Sequence, residues 1–463
     1  MRSLRTQILV AAAISLLAPL ALATAANAAR GLTTGIADDN YVFADSEQER
    51  ASLFDRTVEA NAGIVRLQAR WRQIAAAGPP ASPADPTDPS YDFSELDAAV
   101  IAANQRGLDV LIMIFDAPDW AEGSNRPPVS LVLRPGTWKP DPTKLGDFAQ
   151  AVAQRYSGGF AGLPRVRRFQ IWNEPNLQAY LSPQYEGKKL VSPQHYTRML
   201  NAAYAGIKSV STDNFVVTGG TAPYGDPPGG LRSRPLLFWR KALCLKGRIK
   251  LEGKRCTPKA RFDGLAHHPI NVSGGPNGSA IHPDDASTAD LGNVRKLLRA
   301  AERERTLGTG GRHPLWATEV WWQSDPPAGD LGVPLGKHAR WYQEALYQLW
   351  RQGASVAMIL QLADSTAPLN TGLYFADGTP KPALQAFRFP FVLDRRKRGK
   401  VIAWGRAPAS GKLTIERRRG GGWSGLRALK GKDGGVFKLK LELDGRPRLR
   451  ARIGGEASLV SRP

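Results

Sequence analysis

Between residues 31 and 392, short apolar runs alternate eight times with longer stretches of mixed apolar and polar residues. The runs cover 32–37, 64–71, 109–115, 168–172, 216–220, 264–268, 315–319 and 356–361. They are rich in Val, Ile and Leu and show little alternation with polar residues, as expected of strands covered on both faces. Apolar positions recur at helical spacing between them, over 47–61, 93–106, 142–156, 193–210, 236–243, 289–305 and 337–352, with a short eighth pattern at 382–387. Eight strand–helix units predict an α/β fold, a closed parallel (β/α)8 TIM barrel. The span is 362 residues, about 45 per unit against roughly 31 in a minimal barrel. The excess falls in loops rich in Pro and Gly (78–90, 123–140, 223–235, 246–259, 271–288 and 324–334), each after a strand or the short helix that follows one. Long loops after strands build the face on which barrel enzymes keep their chemistry.

After residue 393 the pattern changes to short alternating strands at 401–404, 412–416, 436–443 and 448–453, separated by Gly and Asp-Gly turns. This predicts a small all-β, sandwich-like domain over 394–463. The segment carries 20 Lys and Arg against 6 Asp and Glu, so +14 of the chain's formal +22. Alternate arginines such as Arg448, Arg450 and Arg452 form either a solvated face or a surface for an anionic cell-envelope polymer. Few aromatics interleave the charges, which argues against nucleic acid.

The first 28 residues predict a secretory signal peptide. Arg2 and Arg5 precede an apolar stretch from Ile8 to Leu22, and Ala26-Asn27-Ala28 has the small-x-small pattern of a cleavage site. The chain is therefore expected to be secreted or associated with the cell envelope, with no membrane span after cleavage and a catalytic domain over 29–393. Cys244 and Cys256 are the two cysteines. Export favours a disulfide between them, closing a Lys/Arg-rich segment, over two unpaired thiols. Two cysteines cannot build a four-cysteine zinc site.

Two predicted strands end in a carboxylate set among aromatics: Trp172-Asn173-Glu174-Pro175-Asn176 closes the fourth, and Thr318-Glu319-Val320-Trp321-Trp322 closes the seventh. Strands four and seven face each other across a barrel mouth, so the two carboxyls converge. A pair flanking a substrate bond suits glycosidic hydrolysis, in which one carboxyl is protonated and one is ionised. Apolar surroundings at Glu174 favour the protonated form, and Arg66, on the second strand, favours an ionised Glu319.

These residues resemble a known family. Trp172-Asn173-Glu174-Pro175-Asn176 is similar to the acid/base motif of clan A glycoside hydrolases, especially families 5 and 39. Thr318-Glu319 followed by aromatics is similar to their nucleophile strand, and Ala117-Pro118-Asp119-Trp120-Ala121 to the loop entering their sugar cleft. The resemblance covers about residues 31 to 392. It implies a (β/α)8 barrel and retaining hydrolysis of O-glycosidic bonds in a polysaccharide or oligosaccharide. Glu174 would be the acid/base, Glu319 the nucleophile, and Asn173 the partner of the sugar 2-hydroxyl. Two positions depart from the family. His268-Pro269-Ile270 stands where a Tyr usually follows the His, and Gln361-Leu362-Ala363-Asp364 stands where many members place a Trp platform.

His267 and His268 raise the possibility of a metal. A metal-dependent barrel commonly adds a His-x-His on its first strand, which here ends Thr33-Thr34-Gly35-Ile36-Ala37, so neither a metal nor any other cofactor is expected. His268 is read instead as a substrate-bonding residue or a satisfied core histidine. Trp71, Trp120, Tyr224, Trp321 and Trp322 are candidates for stacking on sugar, each weighed against packing under a loop. The competing reading is a carbohydrate-binding barrel of weak or no activity, anchored to the envelope by its basic C-terminal domain.

Overall fold

A computed structural model describes residues 29, 31–130, 133–271, 274–365, 369–397 and 399–463. The expected signal peptide lies outside the described residues. Eight parallel strands form the central sheet: β1 (Thr33–Ala37), β2 (Ile64–Arg70), β3 (Asp109–Phe115), β4 (Arg168–Ile171), β5 (Phe215–Thr218), β6 (Leu265–His267), β7 (Leu315–Val320) and β8 (Ala354–Leu360). Their spatial order, β6-β7-β8-β1-β2-β3-β4-β5, leaves β5 beside β6. Parallel bridges at Val217–Gly264 and Thr221–His267 close that gap, so the sheet is a barrel. The connecting helices are α1 (Glu47–Glu59), α2 (Ser94–Gln105), α3 (Pro142–Arg155), α4 (Ser192–Val210), α5 (Pro235–Ala242), α6 (Leu291–Arg303), α7 (Leu335–Gln352) and α8 (Pro382–Arg388). Sequence chemistry marks several starts: Ser46 caps α1 through Glu49 N–H, Asp141 caps α3, and Pro occupies the first turn of α3, α4, α5 and α8.

Alternation along each strand sorts residues between two apolar layers. Val65, Leu67 and Ala69 of β2 face outward into the large core shared with the helices. Ile64 joins Leu111, Val217, Ala266, Trp316, Val356 and Met358 in a smaller cluster within the barrel. The remaining inward positions of β2, at intervals of two, are Arg66, Gln68 and Arg70, which climb toward the mouth. The barrel is thus apolar at its base and polar at its top.

The C-terminal region forms antiparallel sheets. One contains β9 (Phe391–Arg395), β10 (Lys400–Arg406) and β13 (Val436–Glu442). The other contains β11 (Gly411–Arg419), β12 (Gly422–Gly431), β14 (Leu449–Ile453) and β15 (Glu456–Ala457). Phe389, Phe391, Leu413, Ile415, Phe437 and Leu449 are among the residues that fill their own core. The sheets are also joined to the barrel. Trp404 packs on Tyr347 and Trp350 of α7, with ring centroids at 5.4 and 5.6 Å. The buried Arg406 donates to the Asn61 carbonyl at 2.9 Å, and Arg388 of α8 donates to Glu456 at 3.0 Å. No helix among the described residues is long and apolar enough to cross a membrane.

Candidate active site

Glu174 reaches the barrel mouth through strained backbone. Trp172 and Glu174 both have positive φ (74° and 35°), and Asp116 and Gln361, at the ends of β3 and β8, share this feature (64° and 67°). Non-glycine residues hold such angles at a cost of roughly 1–3 kcal/mol each and cluster at functional sites. Surrounding bonds fix the loop. Glu174 N–H donates to the Gly220 carbonyl at 3.0 Å. Trp172 Nε1 donates to the Tyr180 carbonyl at 2.7 Å. The fully buried Asn176 bonds the backbone of Ala222 and Ser233. The last residue of the Trp-Asn-Glu-Pro-Asn motif is therefore a staple beneath the site.

Glu319 reaches it by a different device. Ala317 pairs with Ala357 and Val320 with Ile359, so β7 takes three steps where β8 takes two. The extra residue is a bulge, which re-aims side chains. Thr318 turns inward to meet Gln170 Nε2 at 3.3 Å, and Glu319 also faces the cleft.

The two carboxylates meet across His268. Its Nδ1 lies 3.1 Å from Glu174 Oε1 and 3.5 Å from Glu319 Oε2, and its ring is fully buried. One ligand atom from each of the three residues lies within 4.8 Å of the others. Arg66 donates to Glu319 Oε1 at 2.5 Å and to the Thr318 carbonyl at 3.5 Å. Burial pushes the Glu174 carboxyl above its ordinary range, and the His268 hydrogen bond offsets this only in part. Burial also acts on Glu319, but there the electrostatic influence of the His268 ring and of the Arg66 guanidinium, with the Arg66 hydrogen bond, outweighs it and holds the carboxyl low. One acid is poised to keep its proton and its neighbour to lose it. Glu174, His268 and Glu319 are also the donor set that a cation would find, but Arg66 already occupies one Glu319 oxygen as a fixed positive charge.

Glu174, Glu319 and Arg66 line a cleft of about 670 Å³, together with Asn173, Gln68, Arg70, Tyr180 and Trp321, while the buried His268 lies behind its wall. Asn173 Oδ1 is buried without a hydrogen-bond partner. The sequence reading missed Gln68, Arg70 and Tyr180. The signal for the first two was their period-two spacing from Arg66 on one strand. Ile270 lines the cleft where a Tyr was expected, and Gln361 lines it at the end of β8.

Of the five aromatic candidates, Trp321 alone lines the cleft. Trp71 is fully buried, stacked on Phe148 at 5.2 Å with Trp120 edge-on at 5.5 Å. It starts a short helix, Trp71–Ile74, that turns it into the helix layer. Trp322 is buried against Trp341 and Tyr342 and donates to the Asn271 carbonyl at 2.6 Å. Neither offers a face to a sugar. Trp120 and Tyr224 are half-buried and do not line the cleft, nor does any other residue of 117–121, although Asp116 just before that segment does. His267 is a satisfied core histidine: it bonds Thr221 Oγ1 at 2.9 Å and the Ala286 carbonyl at 2.8 Å, and burial brings it down to about 4. Cys244 and Cys256 are joined as a disulfide.

Gly220 leaves room for His268. A Cβ there would lie 2.2 Å from His268 Nε2 and 2.8 Å from Thr318 Oγ1. Gly220→Ala should therefore lower stability by about 1–3 kcal/mol in urea titration. The control Gly159→Ala, at a position with nothing within 4 Å, should not.

No protein-family model matches the chain, and no curated protein matches it. Among solved structures, a glucosidase from Croceicoccus marinus is similar at a TM-score of 0.51 and 14% identity, over 90% of this chain and 93% of that one. GH5_18 from Streptomyces cattleya gives 0.49 and 16%, over 78% and 79%. The exo-β-1,4-mannosidase Op5Man5 from Opitutaceae bacterium strain TAV5 gives 0.47 and 18%, over 78% and 59%. At these identities, the likeness to the glucosidase is one of fold: a strand–helix barrel followed by further chain.

Proposed function

We propose that the protein is an exported retaining glycoside hydrolase of clan A, similar to families 5 and 39, acting on a polysaccharide or oligosaccharide. The observation that carries this reading is the meeting of two strand-end carboxyls whose surroundings drive their proton affinities apart. Their approach to within 4.8 Å suits retention, for which about 5–5.5 Å is usual, better than inversion at about 6.5–9.5 Å. In the first step Glu319, kept ionised by Arg66, attacks the anomeric carbon while Glu174 gives its proton to the departing oxygen. The glycosyl ester on Glu319 then breaks as Glu174 takes a proton from water and the hydroxide adds to the same carbon. The unpartnered Asn173 Oδ1 receives the sugar 2-hydroxyl, and Trp321 offers a ring face. The disulfide supports an oxidising destination, and the outward arginines of β11 and β14 support contact with an anionic envelope polymer.

The pH profile of kcat/KM follows from the two shifts. Activity should rise as Glu319 ionises, below the ordinary carboxylate range near about 4.3, and fall as Glu174 loses its proton above that range. Glu174→Gln, assayed on an activated aryl glycoside, should lack the alkaline limb. A limb that persists would assign it to another group.

The direct test is hydrolysis of aryl β-gluco-, xylo-, manno-, galacto- and arabinosides, with Glu319→Gln as control. Release that vanishes in the variant supports the reading and identifies the sugar. Ile270 in place of a Tyr beside Glu319 favours a second reading, a barrel that binds sugar and turns it over slowly or not at all. That reading predicts saturable binding without release.

A further inference from the structure

A second groove, of about 520 Å³, lies on the flank of the barrel between α4 and α5 and shares no lining residue with the catalytic cleft. Four lysines line it: Lys188, Lys189, Lys241 and Lys254. No carboxylate does. None of the four ammonium groups has an ion pair, hydrogen bond or ring partner among the described residues. This contrasts with Lys139, Lys208, Lys246 and Lys250, each of which pairs with an acid.

Three separate segments bring the lysines together. Lys188 and Lys189 sit at the tip of a tight hairpin pairing Tyr185–Glu186 with Lys189–Leu190. Lys241 is on α5. Lys254 follows a second hairpin and is held by the Cys244–Cys256 disulfide and by its own N–H donating to the Cys244 carbonyl at 2.8 Å. Pro193, Leu237 and Pro258 supply apolar lining. Gln194 and Thr257 add exposed neutral hydrogen-bonding groups, and the Tyr185 hydroxyl is buried without a partner.

Concentrating like charge without counter-charge is unfavourable unless an anion relieves it. Lysines act as point charges toward carboxylate, sulfate or phosphate oxygens. Neutral amide and hydroxyl groups between them suit a hydroxyl-rich chain, and the one aromatic ring in the lining, Tyr185, is half-buried, where a strand of nucleobases would call for a series of stacking rings. We propose that this groove is an accessory binding site for an anionic polysaccharide, a chain bearing carboxylate or sulfate groups, and that the disulfide serves to fix Lys254 at its edge. The site does not draw on the chemistry of the cleft and stands whether or not the cleft hydrolyses.

The test is lysine acetylation of the full chain, read residue by residue by mass spectrometry. It is run with polygalacturonate, dextran sulfate, neutral dextran or single-stranded DNA. The four groove lysines should be acetylated about fivefold more slowly, or slower still, with polygalacturonate or dextran sulfate, as expected of ammonium groups held in ion contacts. The stronger of the two identifies the anionic group. Dextran should have no effect, and Lys296 and Lys337, exposed on α6 and α7, should react at unchanged rates. In Lys189→Glu/Lys241→Glu the protection of Lys188 and Lys254 should disappear. Absence of protection by both polyanions overturns the proposal. Equal protection of Lys296 and Lys337 overturns it in favour of bulk attraction to a chain of formal charge +22, and equal protection by DNA overturns the assignment to polysaccharide.

Discussion

Glu319→Gln should reduce turnover of an aryl glycoside by about 10⁴-fold or more, because it removes the atom that forms the covalent intermediate. It should also cost stability. Glu319 is buried and is the carboxylate partner of Arg66, itself buried, at 2.5 Å, and a weakened partner for a buried charge costs about 1–3 kcal/mol. A melting curve on the same preparation separates the two losses. Glu174→Gln should behave differently. Its loss should reach about 10²–10⁴-fold for natural glycosides, whose leaving oxygens need a proton, and shrink for nitrophenolate-type groups, which do not. Two variants that keep wild-type rates on both substrate types would remove Glu174 and Glu319 from the chemistry.

Lys381→Met should be the most destabilising single substitution outside the apolar core. Lys381 Nζ lies 2.6 Å from Asp364 and 2.9 Å from Ser324 Oγ, and the two charged side chains are 0% and 2% exposed. Removing the lysine strands a carboxylate in the interior, at about 3–5 kcal/mol. Lys381→Met combined with Asp364→Asn should recover more than half of that in urea titration, since Asn can still accept from Gly372 N–H, now 3.0 Å from Asp364 Oδ1. A double variant no more stable than the single would show that packing, not charge, is at stake. This pair occupies the segment after β8 where a Trp platform was sought, so the chain has put a structural clamp there.

The barrel was readable because strands covered on both faces are continuous apolar runs, and all eight stand out against Gly- and Pro-rich loops. Three C-terminal strands, β9, β12 and the two-residue β15, were not. β12 is exposed or half-exposed along nearly its whole length, so no side of it carries an apolar signature. β9 starts two residues after α8 with no turn residue beyond Pro390 to announce it. Glu174 and Glu319 were found because their neighbours are distinctive and their spacing fits three units. Trp71 and Trp322 look no different in sequence from Trp321. Their burial depends on which way a short helix or a bulge rotates the chain, and that is fixed by tertiary packing with Phe148 and Tyr342.

The union of Trp404, Arg406 and Glu456 with the barrel bears on how the protein can be handled. Cutting the chain near residue 394 would divide β9 (Phe391–Arg395) and uncover the indole of Trp350. Arg395, Arg396 and Lys397 at the end of β9 are exposed, so trypsin should cut there, but the cut falls between the paired strands β9 and β10 and the two fragments should stay together until denatured. A fusion that borrows the basic sheets as a detachable tag would have to carry α7 and α8 with them.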